Sequence, residues 1–94
     1  MLAITRLRWD TWNVEHIARH SVTPREVEEA CAGRFIARAT HSGLLLLIGL
    51  TRAERVLAVV LAQVEAATWY AITARPASRK ERLLYEAERG EGTP

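Results

Sequence analysis

The stretch of sequence that decides the fold is "LLLLIGLTRAERVLAVVLAQV", which runs from Leu44 to Val64. It contains two nearly continuous apolar runs, and the link "TRAE" between them is short enough for a hairpin. Apolar runs of this kind are typical of strands that are mostly buried or covered on both faces. The stretch therefore predicts two neighbouring central strands of a sheet.

Three flanking segments extend this sheet. The segments "AITRLRW" (3–9), "RFIARAT" (34–40) and "ATWYAIT" (67–73) alternate apolar and polar residues, which is typical of half-buried strands. Short links such as "HSG" (41–43) favour hairpins between consecutive strands. We therefore expect an antiparallel sheet of four to five strands.

The first predicted helix follows the first strand directly. Asp10 is a candidate N-cap, and the helical pattern continues to about His20. Its apolar face is expected to carry Val14, Ile17 and Ala18. The opposite, solvent-facing side is expected to carry Asn13, His16 and His20.

The second predicted helix lies within "TPREVEEACAG" (23–33). Thr23 and Glu26 have the spacing of a capping box, Pro24 suits the first helical position, and Gly33 can end the helix. The inner side of this helix is predicted to carry Val27, Ala30 and Cys31.

The third predicted helix runs from Ser78 to about Arg89, with Ser78 and Glu81 as a second capping box. Its apolar face is expected to consist of Ala77, Leu83, Leu84 and Ala87. Lys80 falls near the middle of that face, so its aliphatic stem is expected to lie along the sheet. Together the elements predict an α+β fold with two N-terminal helices and one C-terminal helix packed on the sheet.

The composition is that of one globular domain over residues 1–94, with a flexible tail from about residue 90. The longest apolar run, residues 44–50, is far shorter than the about 18 residues of a membrane-spanning helix. The single cysteine, Cys31, permits no internal disulfide, which favours a reducing compartment. We therefore expect a cytoplasmic protein without a membrane partner.

Within the segment "ITARPASRKERLLYE" (72–86), residues 73–82 hold four cations against one acid, Glu81, at the start of the third helix. Free N–H groups at a helix start, together with basic side chains, are suited to bind a phosphate. Solvated arginines beside a lysine whose stem lies on the sheet would explain the same pattern without a ligand. The cations are Arg75, Arg79, Lys80 and Arg82.

Four stretches together resemble the BrnT toxins of bacterial type II toxin–antitoxin pairs. They are "WD" (9–10), "HIARHSVTPREVEEA" (16–30), "LLLIGLTRAERVLAVV" (45–60) and "ITARPASRKERLLYE" (72–86). The resemblance covers about residues 7–88 and implies a RelE-like fold. It also implies an endoribonuclease that acts on RNA without a metal or cofactor. A BrnA-like antitoxin with a ribbon-helix-helix DNA-binding half would hold it silent.

In enzymes of this kind a substrate 2′-hydroxyl attacks the adjacent phosphate, and cationic side chains stabilise the charge that develops. Arg75, Arg79 and Lys80 match basic positions in the family's tail. Arg55 matches the basic residue that opens the penultimate strand, and Trp9, Asp10 and His20 match positions near the family's start. The predicted catalytic residues are Arg55, Arg75, Arg79, Lys80 and His20, with His20 handling the proton.

Two departures from the family support a second hypothesis. Pro76 stands where the family usually has arginine, and Ser21 follows His20 where glycine is common. The second hypothesis is a non-catalytic protein- or RNA-binding domain of the same fold with a degenerate active site. A third is a structural homo-oligomer without a nucleic-acid role.

Other candidate residues predict less specific chemistry. His16 and His20 lie one helical turn apart, but no convincing third ligand accompanies them, so we expect solvated histidines and no metal site. Trp12 is expected to face outward, where it could stack on a base or contact a partner. Cys31 is expected to be an unreactive core residue.

Overall fold

The computed structural model describes residues 4–91, which form a five-stranded sheet and three helices. The α+β class and the expected order of elements are confirmed. In chain order the elements are β1 Arg6–Arg8, α1 Thr11–Ala18, α2 Pro24–Ala32, β2 Phe35–Ala39, β3 Leu45–Leu50, β4 Val56–Glu65, β5 Thr68–Pro76 and α3 Arg79–Glu91.

The strands lie in the order β1-β5-β4-β3-β2. Strands β2 to β5 pair antiparallel through consecutive hairpins, as the short links predict. The expectation of a wholly antiparallel sheet is wrong at one edge, because β1 runs parallel to β5 with Leu7 beside Trp69. About sixty residues separate these two strands in the chain, so link length could not set their relative direction.

The larger of two cores lies between one face of the sheet and helices α1 and α2. Ile17 of α1 and Val27 of α2 are fully buried against Leu47, Val59 and Ala71 of the sheet. We call this side of the sheet the α1/α2 side. The second helix matches its prediction, with the Thr23–Glu26 capping box, Pro24 in the first turn and Gly33 at its C-cap.

The first helix buries a different face from the one expected. Ile17 is buried, but Val14 and Ala18 are exposed and Asn13 is fully buried. Asn13 is turned inward because its amide closes a capping box with Asp10 and donates to the Arg8 carbonyl at 3.0 Å. A polar side chain with satisfied hydrogen bonds can be buried at little cost, and hydrophobicity on a wheel does not reveal it.

Helix α3 packs on the opposite face, mainly on β2 and β3. It forms the smaller core, in which Ile48, Ala77 and Tyr85 are buried. The capping box between Ser78 and Glu81 is present. The helix backbone continues to Glu91, and the rest of the expected tail, residues 92–94, lies outside the described residues.

The apolar face predicted for α3 is confirmed at Ala77 and is wrong at its other positions. Lys80, Leu83, Leu84 and Ala87 are exposed, and the inward positions instead follow a spacing near four. The cause is the sheet face beneath the helix, which carries Arg75 and Arg38. Glu81 and Glu88 turn inward to pair with them. The inward residues are Ala77, Glu81, Tyr85 and Glu88.

Candidate functional site

The face of the sheet that α3 occupies is covered only in part. Helix α3 packs mainly on β2 and β3, so the surface of β4, β5 and β1 on the same side is left partly accessible. We call this surface the open face. Its side chains are Arg6, Arg8, Val60, Ala62, Tyr70, Ile72, Thr73 and Arg75.

Strand β1 brings two arginines to the open face. Leu7 points into the larger core, so the alternation of a strand turns Arg6 and Arg8 to the other side. Arg8 lies in register with Tyr70 and forms an ion pair with Glu65 at 3.3 Å. Both partners of this pair are more than half exposed, and such pairs contribute little to stability. A ligand can therefore compete for Arg8.

A bulge in β5 adds two further side chains to this surface. Ala71 and Ala74 are both fully buried on the α1/α2 side although they are three residues apart. The register against β4 shifts between Val60 and Leu61, which accommodates one extra residue. Ile72 and Thr73 are consequently both turned toward the open face.

Tyr70 connects the open face to the start of α1. Its hydroxyl is 3.0 Å from each carboxylate oxygen of Asp10, the N-cap of α1, and donates to this carboxylate. Burial, followed by the hydrogen bond and charge of Asp10, raises the pKa of Tyr70. The N–H of Asn13, with help from Tyr70, lowers the pKa of Asp10. Tyr70 therefore keeps its proton at neutral pH.

Arg75 is held by α3. Its guanidinium donates to the two carboxylate oxygens of Glu81 at 2.6 and 2.9 Å. Donation from Arg75, aided by the Ser78 N–H, lowers the pKa of Glu81 to about 2, and the same hydrogen bond raises the pKa of Arg75. The pair fixes the start of α3 at the edge of the open face.

Two predicted site residues lie beside this pair. Arg79 and Lys80 are exposed in the first turn of α3. Neither side chain makes a hydrogen bond or ion pair with the residues that the structure describes. The structure thus brings Arg75, Arg79 and Lys80 together, with two of the three charges accessible to a ligand.

The other two predicted site residues lie on the α1/α2 side. Arg55 donates to the Ser21 carbonyl at 2.8 Å and to Glu26 at 2.9 Å, which anchors the loop between α1 and α2. Burial opposes ionisation of Glu26, but donation from the Thr23 N–H and from Arg55 outweighs it, and the pKa of Glu26 is lowered. His20 is exposed just after α1. The structure therefore does not bring Arg55 and His20 to the open face.

Other reactive side chains are not arranged for metal or thiol chemistry. Among residues 4–91 no group of three His, Cys, Asp or Glu side chains could hold a metal ion. Burial, with a smaller effect from the charge of Glu28, raises the pKa of Cys31 to about 12, so its thiol stays protonated. No helix in the described part of the chain is long and apolar enough to span a membrane.

A groove of about 640 Å³ lies between the end of α2, the turn after β3 and Tyr85 of α3. Its lining carries both positive and negative side chains, and some of them already have hydrogen-bond or ion-pair partners. Glu29 accepts the Arg52 N–H at 3.1 Å and pairs with Arg25 at 3.6 Å. The groove contains none of the predicted site residues, whereas the first turn of α3, beside the open face, carries the two exposed cations Arg79 and Lys80.

The residues that sequence reasoning missed are Arg6, Arg8 and Tyr70. The alternation around Leu7 already placed Arg6 and Arg8 on one side of a strand. The sequence does not reveal that β1 pairs with β5, so it could not place these arginines beside Tyr70. No protein-family model matches the chain, and no match was found among curated proteins or solved structures. A functional proposal therefore depends on the open face and on the resemblance described above.

Proposed function

We propose that this protein is the toxin of a type II toxin–antitoxin pair, a cytoplasmic metal-independent endoribonuclease of the BrnT type with a RelE-like fold. A BrnA-like ribbon-helix-helix antitoxin would neutralise it. The observation that carries the proposal is a set of basic side chains on one side of the sheet. Arg6 and Arg8 lie at one end of the open face and Arg75 lies toward its other end, followed by the exposed Arg79 and Lys80 in the first turn of α3. A polyanionic strand is the ligand that such a surface favours.

The chemistry follows from the charges on this face. The 2′-oxygen of the substrate forms a bond to phosphorus while the bond to the 5′-oxygen breaks, and negative charge builds on the phosphate oxygens. Arg79 and Lys80 are accessible to those oxygens, and Arg75 is held beside them by Glu81. Donors that are fixed before the reaction stabilise this charge most effectively.

Two groups are candidates for the proton transfers. Sequence reasoning assigns the role to His20, which lies on the α1/α2 side. Tyr70 lies on the open face and keeps its proton at neutral pH, but it donates that proton to Asp10 and stands five residues before Arg75 on β5. It would therefore have to turn away from Asp10 to protonate the departing 5′-oxygen. Cleavage rates of Tyr70→Phe and His20→Ala discriminate between them, because the variant that loses activity while folded identifies the proton-handling side chain.

Expression in a bacterium that lacks any antitoxin tests the proposal. Growth arrest is expected with the unmodified chain and should be relieved by Arg79→Ala and by Lys80→Ala. Each variant should also slow RNA cleavage by the purified protein on the order of 10²-fold, because each removes a charge that stabilises the transition state. Arg25→Ala is the matched control, since the Arg25 side chain is 81% exposed on α2 and away from the open face. Normal growth with the unmodified chain, together with intact RNA in vitro, would contradict the proposal.

A second candidate is a non-catalytic RNA- or protein-binding domain with a degenerate site. It is favoured by the internal ion pairs of Arg55 and Arg75, which engage two of the predicted catalytic cations. Salt-dependent RNA binding without cleavage, unaffected by Tyr70→Phe or His20→Ala, would support this candidate.

A further inference from the structure

Trp12 is a large aromatic side chain that the fold leaves in solvent. It is 56% exposed in the first turn of α1. The helix turns Asn13 and Ile17 toward the sheet, and Trp12, one residue before Asn13, therefore points about 100° away from it. Exposed tryptophans are uncommon and are enriched at sites of recognition.

The indole of Trp12 is held in place by an imidazole. The ring centroids of Trp12 and His16 are 4.8 Å apart and the rings are nearly parallel, at 6°. His20 in turn meets His16 edge-on, with centroids 5.9 Å apart. His16 covers one face of the indole, and the large exposed area of Trp12 leaves the other face accessible. The result is a preorganised flat aromatic surface.

The start of α1, which carries Trp12, is linked to the open face through Asp10. Asp10, the N-cap of α1, accepts a hydrogen bond from Tyr70 of the open face. Trp12 is two residues further along, within the same helical turn. A strand whose phosphates contact Arg6 and Arg8 would therefore pass the start of α1, where the ionised Asp10 carboxylate accepts hydrogen bonds from Tyr70 and the Asn13 N–H.

We propose that the accessible face of the Trp12 indole is a stacking site for one base of a single-stranded RNA whose backbone lies on the open face. The inference rests on the proposed RNA-binding function and adds the nucleobase contact to it. Bases stack on aromatic rings with little sequence preference, and a ring that is already fixed by His16 loses little freedom on binding. His16 is a positioning residue in this arrangement, because it touches the indole and not the base.

The test measures binding of a 2′-O-methyl oligoadenylate of eight nucleotides, which lacks the attacking hydroxyl and so stays intact. Fluorescence anisotropy of an end-labelled oligomer should show roughly 5- to 100-fold weaker binding for Trp12→Ala. Trp12→Phe should restore much of the affinity, and His16→Ala should cause a smaller loss. Leu83→Ala is the matched control, since Leu83 is an exposed apolar side chain on α3.

The outcomes separate the two proposals. If an Arg6→Gln/Arg8→Gln double variant loses binding while Trp12→Ala binds like the unmodified protein, the stacking site is wrong and the open face still binds RNA. If the unmodified protein binds no oligomer, both proposals fail. If Trp12→Ala changes only the self-association of the protein, Trp12 is a protein contact and the stacking site is wrong. Circular dichroism of each variant confirms that it is folded.

Discussion

Ser21, like Glu54 and Ala67 among the described residues, has a backbone conformation that favours replacement by glycine. It joins α1 to α2 with φ +60°, in the left-handed region. A residue with a Cβ pays about 1 kcal/mol or more for this conformation, whereas glycine does not. The turn persists because it buries Val22 and presents the Ser21 carbonyl to Arg55.

Ser21→Gly is therefore expected to stabilise the fold by about 1 kcal/mol, because it removes the steric cost of the left-handed conformation. Urea denaturation followed by circular dichroism measures the change. The control is Ser42→Gly, an exposed serine outside the left-handed region, which should not be stabilised. Equal changes in the free energy of unfolding of the two variants would show that the left-handed conformation of Ser21 has no energetic cost.

Glu81 is the residue whose charge most directly supports α3. Its pKa is about 2 in the folded chain, well below the ordinary value of 4.5, because Arg75 donates to it. A carboxyl whose pKa is lowered by folding stabilises the fold above its unfolded pKa. This contribution is lost as the pH falls from about 4.5 to about 2.

Glu81→Gln should therefore lower the free energy of unfolding by about 1–2 kcal/mol at pH 7. This value is smaller than the full pKa shift would imply, because the Arg75 side chain is 41% exposed and solvent screens the pair. The difference between the variant and the unmodified protein should shrink as the pH falls from about 4.5 toward 2. Urea titrations at pH 7, 4 and 2.5 measure it, with Glu86→Gln, an exposed acid of α3, as the control. A difference that does not vary with pH would mean that the Glu81 carboxylate is not the source.

At the scale of elements, α2 lies against β3 at a distance that only glycine allows. A Cβ on Gly49 would be 2.6 Å from the Ala30 carbonyl oxygen and 3.3 Å from the Ala30 Cβ. The neighbouring atoms belong to the helix backbone, which cannot move without displacing the Val27 and Ala30 packing of the larger core.

Gly49→Ala should destabilise the fold by about 3 kcal/mol, because α2 must move away from the sheet. Denaturation by urea or heat measures the loss. Gly33→Ala, where the added Cβ would meet its nearest atom at an ordinary 3.4 Å, should cost much less. Similar losses at the two glycines would indicate a general effect of glycine replacement and not the contact with Ala30.

The sequence predicts those features of the elements that depend on near neighbours. The capping boxes of α2 and α3 and the inner stripe of α2 are confirmed, because residues three or four apart determine them. The inward faces of α1 and α3 were predicted wrongly. Asn13 is buried by a bond to the Arg8 carbonyl, and Glu81 by Arg75 of the sheet beneath it. These partners become neighbours only after the chain has folded.

At the scale of the whole molecule, three of the five predicted site residues lie close together for the same reason. Arg75, Arg79 and Lys80 are close in sequence and are close in the structure. Arg6 and Arg8 reach the open face only because β1 pairs with β5, about sixty residues away in the chain. The hydrophobic periodicity of the sequence cannot predict such a pairing, because it does not show which strand lies at the edge of the sheet beside β5.

RNA binding by the whole molecule should depend strongly on salt. Arg6, Arg8, Arg79 and Lys80 could neutralise about four phosphates, so log K should fall against log[salt] with a slope of about −3. The Arg6→Gln/Arg8→Gln variant should reduce this slope by about 1.4, because two contacts are lost. Fluorescence anisotropy titrations from about 50 to about 300 mM salt measure both slopes. An unchanged slope in the variant would place the phosphate contacts elsewhere.

The unequal size of the two cores has a kinetic consequence. Twelve buried side chains form the described part of the larger core, but only three, among them Tyr85 of α3, form that of the smaller one. A helix anchored by so few buried groups opens more readily than the sheet below it, as a separate cooperative unit. Transient release of α3 would carry Arg79 and Lys80 away from the open face and separate Glu81 from Arg75. The cations at the proposed site therefore stay in place only while α3 is packed on the sheet. The sheet itself can remain intact while α3 opens and closes many times.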